Sequence, residues 1–251
     1  APTPTNEVMA VPTQESPTEE AIVPVEKPTI AIHLPLPQLQ SGTLTVVALG
    51  DSLTEGDGDY PGEGGGFPFR IEKAINTIRP DSQVINFGAS GWTSQQMVEG
   101  QLPQALEAKP QIAVVWIGSN NLWYNNGPGE GETIDLANYT SNIDTTLRSL
   151  TGAGAHVFIA LLDDQSLRPY ATSPDGANYT PEQLAQMTRL ALKFNDIIRA
   201  KAAEYQAVTV DFYNTTIFTD PATLAEDGIH PNASGYDIIA KMWFEAIRKI
   251  L

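Results

Sequence analysis

The 251-residue chain contains no cysteine. That excludes disulfides, thiolate nucleophiles and the usual structural zinc sites, and it leaves the redox compartment open. Basic residues are scarce: 14 Lys and Arg stand against 30 Asp and Glu, for a net charge of −16. So acidic a surface repels phosphate backbones and anionic lipid, and nucleic acid is not expected as a partner. No run of about 18 apolar residues occurs, so no membrane span is encoded. Histidine is rare, with His33, His156 and His230 the only three. The chain starts at Ala1 without a basic or apolar leader, a start left either by removal of a secretion signal or by trimming.

Proline is abundant but unevenly placed. Eight of the nineteen prolines lie between Pro2 and Pro37, among Thr, Glu and Val. This composition buries too little surface to offset chain entropy, so residues 1–40 read as an extended tether. Tethers of this kind hold exported domains away from a membrane or wall, which points to a secreted or cell-envelope setting; a tail without consequence has the same composition. Within it Ile30, Ile32, Leu34 and Leu36 alternate with other residues, as in an extended segment lying on a surface or sheet edge.

From residue 41 onward the pattern is regular and predicts one domain to residue 251. Apolar β-branched runs occur at Leu44–Leu49, Val84–Phe87, Ile112–Ile117, Val157–Leu162 and Val208–Phe212. Helical patterns lie between them, at Phe69–Ile78, Ser94–Leu106, Leu136–Leu150, Pro181–Tyr205 and Ser234–Leu251. Near-continuous apolar strands alternating with helices predict an α/β fold, a three-layer α/β/α sandwich on a five-stranded parallel sheet. In such sheets the chemistry sits just beyond the carboxyl ends of the strands.

Polar motifs follow the apolar runs. The first run leads into Gly50-Asp51-Ser52-Leu53-Thr54, where a turn serine can project its hydroxyl into the crevice and turn N–H groups can meet an oxyanion. It is not the G-x-S-x-G elbow, because Thr54 stands where glycine is needed, and no P-loop lysine follows. Alone, a turn serine is far more often structural than catalytic. The second run leads into Ser90-Gly91-Trp92-Thr93 and the third into Gly118-Ser119-Asn120-Asn121. Gly91 allows close approach of a ligand to the backbone, and the Asn120 amide can donate to developing negative charge; a tight turn and a capping asparagine are the plain alternatives. Before the last helix lies Asp227-Gly228-Ile229-His230-Pro231. A catalytic histidine needs a carboxylate to fix its tautomer, and Gly228 permits the bend that brings both side chains from one loop. Asp-x-x-His can also serve as half of a metal site, but no second histidine cluster completes one. Asp57, Asp59 and Glu63 faintly suggest a calcium loop without its full spacing, and no metal site is assigned.

These four blocks in this order resemble the SGNH hydrolases, also called the GDSL family, over roughly residues 44 to 251. The resemblance implies a flavodoxin-like sheet, ester hydrolysis and no cofactor. It implies Ser52 as nucleophile, Asp227 and His230 as its partners, and an oxyanion hole from the Ser52 and Gly91 N–H groups and the Asn120 side chain. Asn121 departs from the family's Gly-x-Asn-Asp block, which implies altered local hydrogen bonding without loss of activity.

Three stretches, Gly56–Gly66, Leu122–Thr133 and Asp163–Thr180, are expected to border the crevice. Asp51, Trp92, Trp123 and Tyr124 are candidate substrate contacts, and Tyr170 lies in a similar segment. Sequons at Asn138, Asn178, Asn214 and Asn232 include one beside His230, which favours a bacterial host that does not glycosylate. The expected substrate is a small carboxylic ester, with an acetylated carbohydrate foremost. A lipid or thioester hydrolase would need an apolar groove, for which Phe67, Phe69 and Leu122 are the candidates. Acyl transfer uses the same residues, and a silent binding module on a tether is the reading from another class.

Overall fold

Segments rich in apolar and β-branched residues form the strands β1 (Thr45–Gly50), β2 (Gln83–Asn86), β3 (Ile112–Trp116), β4 (His156–Leu161) and β5 (Val208–Asp211). The computed structural model describes residues 38–62, 64–124 and 131–251, without the side chains of residues 124 and 131–135. The Pro-rich segment and the middle of the Leu122–Thr133 stretch lie outside them. The strands form one sheet in the order β2-β1-β3-β4-β5, parallel throughout. Val46–Leu49 and Ile112–Trp116 are wholly buried, as strands covered on both faces must be. The order reverses direction between β1 and β3, and that reversal opens the crevice beyond their carboxyl ends.

The helices are α1 (Ser52–Glu55), α2 (Gly66–Asn76), α3 (Ser94–Gln96), α4 (Leu102–Glu107), α5 (Ser119–Tyr124), α6 (Gly131–Gly152), α7 (Pro169–Thr172), α8 (Pro181–Tyr205) and α9 (Ala233–Ile247). α2 packs with α9, and α6 with α8, giving helices on both sides of the sheet. α8 starts where Thr180 and Gln183 form a capping box with Pro181 in the first turn. α9 starts at the Asn232 cap; that side-chain nitrogen also donates to the Ala222 and Leu224 carbonyls. Among the described residues no helix is long and apolar enough to cross a membrane.

The helix expected over Ser94–Leu106 is interrupted. A π turn, Met97–Gln101, separates α3 from α4. Pro103 has no N–H to return to residue 99, so the regular ladder is broken there in any case. The wider turn places buried Gln101 against the end of β1. Its amide accepts from the Gly50 N–H at 2.9 Å and donates to the Gly50 carbonyl at 2.8 Å. Asn195 of α8 does the same for Leu162 beyond β4, at 2.7 and 2.8 Å. Two amide side chains thus continue the ladder where the strands have run out of partners.

β1 turns into α1 at Asp51, which is fully buried. Its Oδ1 accepts the Leu53 N–H at 3.1 Å and caps the helix, while Oδ2 has no hydrogen-bond partner among the described residues. Burial pushes its carboxyl up to about 7, against the opposing pull of the Leu53 amide and of Arg168. The folded state therefore keeps this proton over a range, from near 3.8 to about 7, in which the unfolded chain has released it. Stability contributed here falls as pH rises through that window, by up to about 4 kcal/mol. Asp51→Asn keeps the cap but not the titration. In urea denaturation at about pH 5 and about pH 8 the variant should gain on the wild type at the higher pH; parallel curves would refute the buried acid.

Candidate active site

Ser52 is the first residue of α1, so its N–H belongs to the helix end that has no partner inside the helix. His230 and Asp227 come from a loop closed by the antiparallel Leu224–Pro231 bridge and by bonds from the Ala225 N–H to the His230 carbonyl and from the Asn232 N–H to the Thr223 carbonyl. The Asp227 carboxylate organises the inside of this loop. Oδ1 accepts the N–H groups of Ile229 and His230 at 2.8 and 2.9 Å, and Oδ2 lies 2.6 Å from His230 Nδ1. Burial raises the Asp227 carboxyl, but these N–H groups and the ring outweigh it and hold it below the ordinary carboxylate value. With Nδ1 donating to Asp227, the neutral ring presents a bare Nε2, and this lies 3.0 Å from Ser52 Oγ. Two glycines make the arrangement sterically feasible. Gly228 turns the loop at φ 66°, and Gly58 at φ 82° lies so close that a Cβ there would stand 2.7 Å from that of His230.

Across the cleft, Ser90, Gly91, Ser119 and Asn120 line the same cavity as Ser52 and His230. Asn120 Nδ2 donates one hydrogen to the Trp92 carbonyl at 2.9 Å, which fixes the amide plane and leaves its second hydrogen for a ligand. Asn121 accepts the Ser94 N–H through Oδ1 at 2.9 Å. An aspartate oxygen in the same place would accept the same bond, so this contact does not depend on which of the two residues stands at 121.

The cavity holds about 480 Å³ and has an aromatic wall. Trp123 meets Tyr170 edge-on at 5.9 Å and stacks on Tyr179 at 5.6 Å. Of the residues read from the sequence as substrate contacts, Trp123 lines the cavity; Tyr124 ends α5, and its side chain is outside the described residues. Asp51 and Trp92 do not line it. Asp51 is consumed as a buried cap, and the Trp92 ring packs against Gly100 of the π turn. Tyr179 and Arg168 do line it and went unread, because each is a single residue in a loop whose fold is set by distant contacts. The acidic residues near Gly56–Gly66 are otherwise engaged: buried Asp59 receives a two-bond Arg70 fork and the Gly66 N–H, and Asp57 accepts the Ser90 hydroxyl. Glu63 is outside the described residues. Phe67 and Leu122 lie in the core, and Phe69 sits under Lys73, so none of them forms an acyl groove.

A family model described as GDSL-like Lipase/Acylhydrolase family matches residues 48–238. The chain is similar to a multidomain esterase of Ruminococcus flavefaciens, 24% identical over 258 residues; the match takes in 89% of this chain and only 31% of that protein. It is similar to an acetylxylan esterase of Geobacillus stearothermophilus, 23% identical over 211 residues, covering 79% of this chain and 91% of the relative. The crystal structure of an acetylxylan esterase from Geobacillus stearothermophilus superposes with a TM-score of 0.61 at 20% identity, over 82% of this chain and 95% of the other, a likeness of fold. The family match over most of its length shows that the chain belongs to the GDSL-like lipase/acylhydrolase family, and its domain is an ester hydrolase of the SGNH type.

Proposed function

We propose that the domain hydrolyses small carboxylic esters, acetyl esters of carbohydrate foremost, with Ser52 as nucleophile and His230 and Asp227 completing a triad. The observation that carries this reading is the continuous relay from Ser52 Oγ to His230 Nε2 at 3.0 Å and from His230 Nδ1 to Asp227 at 2.6 Å, opening onto one cavity. His230 takes the Ser52 proton as Oγ attacks the ester carbonyl, and Asp227 stabilises the imidazolium that results. The tetrahedral oxyanion is met by the Ser52 and Gly91 N–H groups and by Asn120. His230 then returns the proton to the departing alcohol. Water repeats the sequence to release the acyl group.

Two features support a short acyl group on a sugar. The cavity is lined beside Ser52 by Ser90, Gly91 and Ser119 with the apolar Leu53, Ala177 and Ile229, while Phe67, Phe69 and Leu122, the candidates for a lipid groove, do not line it. Beyond them Trp123, Tyr170 and Tyr179 form an aromatic cluster along the cavity wall, a surface suited to packing against a pyranose. The names of two relatives, a multidomain esterase and an acetylxylan esterase, agree with this class. We further propose that residues 1–40 form a tether holding the catalytic domain, residues 41–251, outside the cytoplasm, on the strength of its Pro/Thr/Glu composition.

Three outcomes follow. p-Nitrophenyl acetate should be cleaved faster than the butyrate and octanoate, and Ser52→Ala should abolish the reaction; octanoate preference would favour a lipid hydrolase, and activity surviving in the variant would refute the nucleophile. Asn120→Ala should lower kcat by about 10²–10³, with an unchanged melting curve; full activity would remove Asn120 from the oxyanion hole. Tyr179→Ala should raise KM for an acetylated xylo-oligosaccharide and leave that for p-nitrophenyl acetate near wild type. Equal effects on both would argue against a sugar platform.

A further inference from the structure

The Asp227–His230 pair is internal to one loop. It orients the imidazole, but it cannot fix how far that loop stands from Ser52, which belongs to another part of the chain. Something outside the loop must set the distance. Fully buried Arg168 is placed to do so. Its Nε and Nη2 donate to the two oxygens of buried Asp163, each at 2.8 Å, in a planar fork. The remaining terminal nitrogen, Nη1, donates to the Ile229 carbonyl at 3.0 Å, one residue before His230. The guanidinium lies over the Phe218 ring at 4.3 Å, which seals its other face. Two residues on, the Tyr170 N–H donates to the Gly228 carbonyl at 3.2 Å. Two successive carbonyls of the loop are therefore held by one segment.

That segment is referenced to the sheet. Asp163 lies one residue beyond the end of β4, and Leu162 between them is clamped at both backbone groups by Asn195. The mechanical path runs from β4 through Asp163 and Arg168 to Ile229 and His230. Ser52 is tied to the same sheet through β1, whose last residue is clamped by Gln101.

Resting on the Ser52–His230–Asp227 reading above, we propose that Arg168 is the positioning residue that keeps His230 Nε2 within reach of the Ser52 hydroxyl. Arg168 acts through the Ile229 carbonyl and takes no part in proton transfer. The charge alone does not suffice, because a lysine ammonium cannot supply the two-oxygen fork and a third, divergent bond together.

The test compares wild type, Arg168→Lys, and a double variant, Asp163→Leu with Arg168→Met. The double variant removes the buried pair as a unit and so avoids leaving an unpaired charge in the interior. Melting curves report folding, and titration with a p-nitrophenyl phosphonate counts reactive serines. Both variants should label stoichiometrically, keep KM for p-nitrophenyl acetate within about twofold, and lose kcat by about 10- to 100-fold per titrated serine, as small misplacements of catalytic groups do. Because Asp227 travels with His230, the acid limb of the pH profile should stay in place in both variants and move only in an Asp227→Asn control. Wild-type kcat per titrated serine in either folded variant, or a loss confined to KM, would overturn the proposal. Activity persisting in Ser52→Ala would instead overturn the reading on which it rests, and the two failures are distinguishable.

Discussion

A parallel sheet brings every strand to its carboxyl end on one side, and there the ladder runs out of partners. The backbone groups released at that edge must be paired by something other than a strand, since an unpaired buried peptide group costs as much as a lost hydrogen bond. In this protein side chains do it. Gln101 and Asn195 each clamp both backbone groups of one residue, Gly50 and Leu162, and the Tyr139 hydroxyl covers the Ile117 carbonyl. The edge is thereby rigid without being closed. That leaves a crevice whose walls are fixed and whose floor carries the Ser52 turn, the Gly91 turn and Asn120.

The same economy appears in the loop opposite. One carboxylate, Asp227, receives two backbone N–H groups and the imidazole, so the geometry of the loop and the orientation of the ring depend on a single group. Its exposed position does not weaken this, because three donors converge on it and hold it ionised. Orientation and placement are nevertheless separate requirements. The first is met inside the loop by Asp227. The second needs contacts that cross to other elements, from Arg168 and Tyr170 on one side and from the close packing of Gly58 on the other.

What was legible in the sequence divides along the same line. The five strands followed from apolar, β-branched runs, unbroken in β1 and β3 and interrupted by Asn86 in β2 and by Asp211 in β5, and α8 began at Pro181 because Thr180, Pro181 and Gln183 form a local start signal. The meeting of Ser52, Asp227 and His230, with Asn120 on the same cavity, was legible because each stands in a short motif just after a strand or before a helix. The π turn was not, since its cause combines Pro103 with the demand of Gly50, fifty-one residues from Gln101, for an amide partner. Arg168 and Tyr179 lacked any local pattern: an arginine in a loop has its meaning only when Asp163 and the Ile229 carbonyl, sixty-one residues away, converge on it. Asp51 was misread for the opposite reason. It stands inside the most suggestive motif of the chain, yet its side chain turns inward and serves the helix.

Asp51 also bears on the electrostatics beside Ser52, the proposed nucleophile. An ionised carboxylate at the residue before Ser52 would oppose the negative charge that develops on the substrate in the proposed attack, and because Asp51 is fully buried that opposition would be little screened. Burial pushes this carboxyl to about 7, so toward neutral pH and below a substantial fraction keeps its proton. Arg168 pulls the other way, favouring ionisation, but its guanidinium is already committed to Asp163. Asp163 opposes that pull, so one ion pair serves two ends: it fixes the guanidinium whose third nitrogen holds the Ile229 carbonyl, and it offsets part of the cation's influence on a second buried carboxylate.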